Sequence, residues 1–294
     1  PTQLARRASD STLSRAQVCN ILSQARALGA RNFSLRGGEP FLRADLVGIL
    51  ETADLLGMCS DVVTKVALSR TMIDRLSALR HLSLGISLDS VDPETGDALL
   101  RRPGQTKRLM RSVAQLASAG LAITIEATVT RTTFAGLDAL ERFCAGHNVR
   151  ALHLRAAAPH KVRPVRDLVP DADMTDRIAA RAGKRAGLEI VATPAFTARP
   201  SCGEGLDAVT FLPDGTVTKC TASLSRHPKM QYGNLSESSL EDVLLSRARG
   251  ALLQRVAASA RDLDEDQHPA AGRLPCSQLV HLRTGDPLGR RGQP

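Results

Sequence analysis

Residues 28–43 read LGARNFSLRGGEPFLR, and the fold is decided around this stretch. Residues 32–35 have the composition of a short strand, Gly37-Gly38-Glu39-Pro40 follows as a turn, and a helical pattern begins at residue 42. A paired glycine lets the backbone approach a ligand closely, a glutamate offers an acceptor to an ammonium group, and a proline sets the turn into the next helix. Taken alone, these four residues fit an ordinary strand-to-helix turn nearly as well as a ligand-binding loop.

The first two thirds of the chain repeat this strand–helix unit. Strands are predicted at residues 32–35, 61–65, 82–89, 123–129 and 151–156, and helices at 13–28, 42–56, 70–78, 106–119, 137–144 and 174–186. Such alternation favours an α/β fold with a parallel sheet. A right-handed series of these units closes into a full or partial barrel, with ligands at the carboxyl ends of the strands. The predicted strand ends carry the GGEP turn, Ser87, Asp89, Thr128, Thr130 and Arg155.

From about residue 199 the pattern changes. Residues 208–220 predict a β-hairpin around a Pro213-Asp214-Gly215 turn, and residues 240–256 predict an amphipathic helix. The tail after Arg283 is rich in Gly, Pro and Arg, which predicts disorder. The predicted organisation is therefore a partial barrel at 1–198, an appended region at 199–284 and a disordered tail at 285–294.

Composition limits the function classes. No apolar run approaches the roughly 18 residues of a membrane span, and no secretory signal is visible, so we predict a cytoplasmic protein with no membrane partner. The net charge is +9, but aromatic residues make up only 2% of the chain. Nucleic acid is not the expected partner, because single-strand binders interleave basic and stacking residues. An arginine-biased composition explains the charge, and an acidic partner is the alternative.

The six cysteines fall into two groups. Disulfides are not predicted, because nothing indicates secretion. Cys19, Cys59 and Cys144 are predicted to be buried free thiols that act as small hydrophobic groups. The other three, at positions 202, 220 and 276, lie in the appended region, and their spacing has a separate meaning.

Together these segments resemble the radical S-adenosylmethionine superfamily. Residues 28–43 are similar to that family's second strand–helix unit, in which the GGEP loop meets the amino group of the cofactor. Residues 86–97, ISLDSVDPETGD, resemble its fourth strand, and residues 119–130, AGLAITIEATVT, resemble its fifth. The resemblance implies a partial (βα)6 TIM-like barrel that lacks its first strand. It also implies a set of cofactor-binding residues: Gly37, Gly38, Glu39 and Pro40 at the amino group, Ser87 and Asp89 near the ribose, and Arg101 at the carboxylate.

The appended region resembles the auxiliary-cluster region of the SPASM and twitch subfamilies. Cys202, Gly215 and Cys220 have the spacing C-x12-G-x4-C, and residues 232–243, YGNLSESSLEDV, resemble the segment that follows it. A hairpin that holds two thiolates suits an iron–sulfur cluster. The resemblance implies one auxiliary [4Fe-4S] cluster on Cys202, Cys220 and Cys276. The alternative is that Cys276 occurs by chance and no cluster forms.

The family's CxxxCxxC loop, which holds the catalytic [4Fe-4S] cluster, is absent from the 294 residues. It belongs just before the helix predicted at 13–28, and the chain begins at Pro1 rather than at Met. We therefore expect the cluster ligands upstream of Pro1, and we expect this fragment alone to be inactive. The alternative is a homologue without a catalytic cluster.

The resemblance implies reductive cleavage of S-adenosylmethionine followed by hydrogen abstraction, in an oxidoreductase that acts as a peptide maturase. The expected substrate is a ribosomally made peptide that undergoes crosslinking, epimerisation or oxidation, and the expected electron donor is a flavodoxin or ferredoxin. A small-molecule radical dehydrogenase and an inactive S-adenosylmethionine- or peptide-binding homologue remain alternatives. An RNA-modifying enzyme has support only from the positive charge. Five residues are predicted to face the substrate, with no proton donor assigned among them: Glu126, Thr128, His153, Arg155 and His160.

Overall fold

The structure is a computed structural model that describes residues 12–157, 168–185, 187–193, 209–218, 231–247, 249–251 and 254. The chain divides into two compact units. The sheet unit is Gly29–Ala195, and the terminal unit combines Pro1–Leu28 with Phe196–Pro294. The first helix, α1 (Arg15–Ala27), therefore groups with the C-terminal part of the chain. The division predicted at 198, 284 and 294 stays a prediction.

The sheet unit contains a seven-stranded, mostly parallel sheet. Its strands are β1 (Asn32–Leu35), β2 (Cys59–Thr64), β3 (Leu82–Ser87), β4 (Ile123–Val129), β5 (Ala151–Ala156), β6 (Gly183–Arg185) and β7 (Leu188–Thr193). They lie in the order β1-β2-β3-β4-β5-β7-β6, and only the β6–β7 pair is antiparallel. The predicted α/β class and parallel sheet are confirmed, whereas closure into a partial barrel stays a prediction.

Helices connect successive strands. They are α2 (Leu46–Leu55), α3 (Arg70–Ser77), α4 (Pro93–Leu100), α5 (Gln105–Ser118), α6 (Arg131–Phe134), α7 (Leu137–Gly146) and α8 (Ala172–Ala179). Side chains cap several of them: Ser69 accepts a hydrogen bond from Met72 N, and Asp92 accepts one from Thr95 N. Caps of this kind each stabilise a helix by about 1 kcal/mol and fix where it begins.

Strand alternation gives the sheet two different faces. On one face, side chains such as Leu84, Ile86, Ile125 and Leu152 are fully buried in the main hydrophobic core. Each such side chain stabilises the fold by about 1.5–3 kcal/mol. The opposite face, which we call the polar face, is only partly buried and carries Ser34, Asp61, Ser87, Glu126, Thr128, His153, Arg155, Val191 and Thr193. Four of the residues predicted to face the substrate, Glu126, Thr128, His153 and Arg155, therefore lie on the polar face.

The prediction of a helix at 174–186 was wrong in its second half. Helix α8 ends at Ala179, and the chain then forms the β6–β7 hairpin, so the prediction of five strands was also too low. Gly183 has a φ of 137°, a conformation that L side chains rarely adopt. Side chains along the first part of β7 are alternately buried and exposed, and β7 pairs in parallel with β5. A helix could not form the hydrogen bonds of this pairing.

The terminal unit is built from both ends of the chain. Strands β8 (Thr210–Phe211) and β9 (Thr216–Thr218) pair antiparallel across the Pro213-Asp214-Gly215 turn. Strand β10 (Gln231–Asn234) extends this sheet, and helix α9 (Leu240–Leu244) follows, beginning where the sequence predicts. Helix α1 joins them, because Gln24 Oε1 accepts a hydrogen bond from Leu240 N at 3.0 Å.

Three of the cysteines are described. Cys144 is buried, as predicted, and burial followed by the charge of Glu141 raises the pKa of its thiol to about 12. Cys19 is half-buried. The prediction for Cys59 was wrong, because this residue is exposed at the start of β2, on the strand face opposite to buried Ser60 and Val62. Among the described residues, no helix is both long and apolar enough to span a membrane.

Candidate functional site

The GGEP loop is fastened to the end of β2 through Glu39. Glu39 Oε1 accepts hydrogen bonds from Thr64 Oγ1 at 2.7 Å and from Phe41 N at 3.1 Å, and Oε2 accepts one from Lys65 N at 2.8 Å. Pro40 is buried and begins a short 3-10 turn, Pro40–Leu42. The Glu39 carboxylate therefore holds two neighbouring loops at the carboxyl ends of β1 and β2.

The glycines of this loop remain exposed. Gly37 has a φ of 157°, a conformation that L side chains rarely adopt. The carbonyl oxygens of Gly37 and Gly38 accept no hydrogen bond from the described residues. Because the Glu39 carboxylate already has three donors, these two carbonyls are the acceptors that the loop offers to an ammonium group.

Arg36, just before the glycines, points its charge across the polar face. Its Nε donates a hydrogen bond to Ser34 Oγ at 3.0 Å, and its guanidinium pairs with Asp61 on β2. Ser34 Oγ also donates to Asp61 Oδ2 at 3.1 Å. Ser34 and Asp61 are register partners of adjacent strands. Arg36 thus has a structural partner on the neighbouring strand.

Ser87 and Asp89 lie at the end of β3. Ser87 is the register partner of Glu126, and Asp89 Oδ1 accepts a hydrogen bond from Thr128 N at 2.8 Å. Burial raises the pKa of the Asp89 carboxyl, and the Thr128 hydrogen bond and the Lys65 charge offset this only in part. A partly buried carboxyl whose pKa is raised by burial is typical of functional sites.

We expect replacement of Asp89 by asparagine to stabilise the protein at neutral pH. A carboxyl whose pKa is raised on folding favours the folded state below its ordinary pKa and loses that contribution as the pH rises. The amide of Asp89→Asn keeps an oxygen for Thr128 N and carries no charge. Urea unfolding at pH 7 should show the variant to be more stable than wild type, with a smaller difference near pH 4. A variant less stable than wild type at pH 7 would contradict this account.

Glu126 and His153 form a hydrogen-bonded pair at the centre of the polar face. They are register partners on β4 and β5, and His153 Nδ1 lies 3.0 Å from Glu126 Oε1. Burial acts to raise the pKa of Glu126, but the His153 hydrogen bond and the charges of His153, Arg36 and Arg155 outweigh it, so this pKa lies below its ordinary value. Arg155 lies two residues further along β5, at the register position of Thr128.

Sequence comparison supplies relatives of known function. PqqA peptide cyclase of Xanthomonas axonopodis pv. citri (strain 306) is 29% identical over 241 residues, which cover 76% of this chain and 63% of the relative. The chain thus spans less than two thirds of the length of this curated relative. No family model matches the chain.

Structure comparison finds the same fold in Streptococcus suis SuiB. The crystal structure of SuiB bound to S-adenosylmethionine has a TM-score of 0.66 and 18% identity, and the match covers 82% of this chain and 60% of SuiB. The structure of SuiB bound to precursor peptide SuiA has a TM-score of 0.64, with the same identity and coverage. These relatives and structural neighbours support membership of the radical S-adenosylmethionine superfamily.

Contacts through the loop after β2 connect the GGEP loop with Asp89. The GGEP loop is bonded through Glu39 to Thr64 and Lys65, and Lys65 acts electrostatically on Asp89. Gln105 Nε2 donates to the Lys65 carbonyl at 3.2 Å and so fixes the loop after β2 from the opposite side. The GGEP loop and the pair Ser87 and Asp89 thus lie at the carboxyl ends of β1 and β3, on either side of β2.

Arg101 stands apart from this group. It ends α4 in a left-handed conformation, with a φ of 53°, and its side chain is exposed. It lines a surface cavity of about 590 Å³ with Arg102, Lys107 and residues of α4, and none of the other predicted cofactor residues lines that cavity. Its pairing with a cofactor carboxylate therefore stays a prediction for the radical S-adenosylmethionine site.

The predicted cluster ligands Cys202, Cys220 and Cys276 lie outside the described residues, as does His160. Within the part of the chain that the structure describes, no group of three or more His, Cys, Asp or Glu side chains could hold a metal ion. The auxiliary cluster on these three cysteines stays a prediction.

Proposed function

We propose that this chain is part of a radical S-adenosylmethionine enzyme that modifies a peptide. The observation that carries the proposal is the fastening of the GGEP loop by Glu39 beside the half-hidden Asp89. This arrangement offers the carbonyls of Gly37 and Gly38 to an ammonium group and the carboxyl of Asp89 to a ribose. The relative named PqqA peptide cyclase and the SuiB complexes with S-adenosylmethionine and precursor peptide support the cofactor and the substrate class.

Each residue has a defined task in this proposal. The carbonyls of Gly37 and Gly38 accept hydrogen bonds from the cofactor amino group, and Glu39 keeps the loop in the shape that presents them. Ser87 and Asp89 orient the ribose at the end of β3. S-adenosylmethionine, bound with a [4Fe-4S] cluster, supplies one-electron chemistry that ends in removal of a substrate hydrogen.

The remaining parts of the proposal follow the family. We propose that the catalytic cluster has its ligands upstream of Pro1, and that an auxiliary cluster is held by Cys202, Cys220 and Cys276 in the region 199–284. The region 1–198 forms the partial barrel, and a flavodoxin or ferredoxin delivers the electron. The reaction on the peptide is a crosslink, an epimerisation or an oxidation.

The test uses the complete protein that contains this chain, reconstituted with iron and sulfide without oxygen. Reductant and S-adenosylmethionine should yield 5′-deoxyadenosine, and a short peptide encoded beside the gene should change in mass. Failure to bind or cleave S-adenosylmethionine after cluster reconstitution would contradict the enzyme and favour an inactive binding homologue. Cleavage that transforms a small alcohol but no peptide would contradict the peptide substrate alone.

A further inference from the structure

The Glu126–His153 pair is distinguished by its position on the polar face, beside the residues predicted to face the substrate. Both side chains lie on the polar face, in the same row across the sheet as Ser87. Glu126 is the more enclosed partner, with 18% of its side chain exposed, whereas His153 is 39% exposed. The carboxylate is therefore set behind the imidazole, and the imidazole faces outward.

The contact with Glu126 determines which ring nitrogen of neutral His153 carries the hydrogen. The pKa of Glu126 lies below its ordinary value, so its carboxylate has no proton to donate and can only accept. The hydrogen shared at 3.0 Å must then belong to His153 Nδ1. In neutral His153 this leaves the Nε2 lone pair on the outward side of the ring, where it can accept a proton.

Two neighbours complete a small subsite around His153. Arg155 lies about 7 Å further along β5 on the same face, is exposed, and forms no hydrogen bond or ion pair with the described residues. Val191, the register partner of His153 on β7, is 38% exposed although it is apolar. A proton acceptor, an unpaired cation and an apolar wall therefore lie side by side.

The charges around this subsite favour an anion beside it. Arg36 approaches Glu126 from the loop after β1, and Arg155 approaches from β5 itself. Asp89, after β3, is already engaged by Thr128 N and by the Lys65 charge. The adjoining positions of β7, Val191 and Thr193, are uncharged. Asp61 on β2 already balances Arg36, and Glu126 lies near Arg155, so protonation of His153 would leave one positive charge beside the bound group.

We infer that Glu126, His153 and Arg155 form a proton-accepting subsite for a weakly acidic hydroxyl or thiol group of the substrate. The O–H or S–H bond breaks, its proton moves to His153 Nε2, and its electron pair stays on the oxygen or sulfur. Glu126 stabilises the imidazolium that forms, and Arg155 stabilises the new anion. No oxidant or reductant enters this step. The inference rests on the proposed function only in assigning the hydroxyl or thiol to the peptide substrate.

The test uses 4-nitrophenol as the probe, because its phenolate absorbs visible light and its neutral form does not. The complete protein is titrated with it at a pH at which the free probe is mostly protonated. The wild type should bind the probe and raise the phenolate absorbance. His153→Gln should abolish the rise, and Arg155→Met should weaken binding about tenfold, as expected for a lost charge-assisted contact.

The chain contains a matched control. His81 Nδ1 lies 3.1 Å from Asp54 Oδ1, with exposures of 42% and 18%, but this pair lies before β3, at the opposite end of the strands. His81→Gln should therefore leave the phenolate signal unchanged. Urea unfolding shows whether each variant is folded. A wild type that does not ionise the probe, or a His153→Gln variant that still does, would overturn the subsite.

A second measurement separates this inference from the proposed function. ¹⁵N NMR of the histidine rings should show the neutral His153 ring protonated on Nδ1 in the wild type, without cofactor or cluster. A protein that ionises the probe but does not cleave S-adenosylmethionine would overturn the proposed function alone. A protein that cleaves S-adenosylmethionine but shows the Nε2–H form of His153 would overturn the subsite alone.

Discussion

Replacing Glu39 with alanine should destabilise the sheet unit by about 3 kcal/mol and abolish S-adenosylmethionine binding by the complete protein. The side chain accepts hydrogen bonds from Thr64 Oγ1, Phe41 N and Lys65 N, and hydrogen bonds to a charged group contribute about 1.5–3 kcal/mol each. The expected loss is smaller than the sum of the three bonds, because water can bind the donors of Thr64, Phe41 and Lys65 once the carboxylate is removed. Urea unfolding and calorimetric titration with S-adenosylmethionine measure the two effects.

Two further variants make this expectation specific. Glu39→Gln keeps the size of the side chain but turns an NH2 group toward one of the three donors, so we expect a loss of about 1–2 kcal/mol. Glu51→Ala removes a carboxylate whose partner is the exposed Arg75, at 2.7 Å. A surface pair contributes less than about 1 kcal/mol, so this control should keep both stability and binding. Equal losses in Glu39→Ala and Glu51→Ala would refute the role given to Glu39.

The second large effect is expected at Gly96 in α4. A Cβ at this position would lie 2.3 Å from Thr106 Oγ1 and 3.0 Å from Thr106 Cγ2, and Thr106 is fully buried. Overpacking of this kind costs about 1–3 kcal/mol, and the higher helix propensity of alanine returns at most about 1 kcal/mol. We expect Gly96→Ala to lower the free energy of unfolding by about 2 kcal/mol, measured by urea unfolding.

A double variant and a second glycine test the cause. Thr106→Ala removes both of the closest atoms, so Gly96→Ala should cost much less in that background. Gly146 lies in α7, where an added Cβ would meet nothing within 4 Å. Gly146→Ala should be neutral or stabilising by up to about 1 kcal/mol. If Gly146→Ala destabilises as much as Gly96→Ala, the crowding explanation is wrong.

The sequence predicted the central strands best. The bounds predicted at 123–129 and 151–156 are those of β4 and β5. Polar and apolar residues alternate over residues 123–129 and 152–156, and one complete set of alternate side chains is buried, so local pattern and tertiary environment agree. Helix α4 was missed although Asp92 and Pro93 are a standard helix start, and that signal was available.

The hairpin of β6 and β7 could not be predicted from its local sequence pattern. Lys184 and Arg185 are compatible with a helix, and what makes them a strand is their pairing with Glu189 and Leu188. Pairing of β7 with β5 across more than thirty residues adds the other constraint. Short edge strands depend on such partners more than on their own composition.

In the candidate site, too, the sequence identified single residues but not the contacts between them. Glu39, Ser87 and Asp89 were identifiable by resemblance, but the role of the Glu39 carboxylate as a link to β2 required the positions of Thr64 and Lys65. Glu126 and His153 were each singled out, yet their pairing depends on the register between β4 and β5. With β4 and β5 assigned as neighbouring parallel strands, their register would have predicted that Glu126 and His153 pair.

The shared use of both chain ends by the terminal unit has a consequence for synthesis. Gln24 and Leu240 are 216 residues apart, so α1 leaves the ribosome long before its partner exists. At about 5–20 residues per second, that interval is roughly 10 to 45 s. During it Ile21 and Leu22, which end up buried, have nothing from the C-terminal part of the chain to cover them. The sheet unit is fully translated first, and a nascent chain that stalls before Leu240 leaves the apolar side chains of Ile21 and Leu22 open to chaperones.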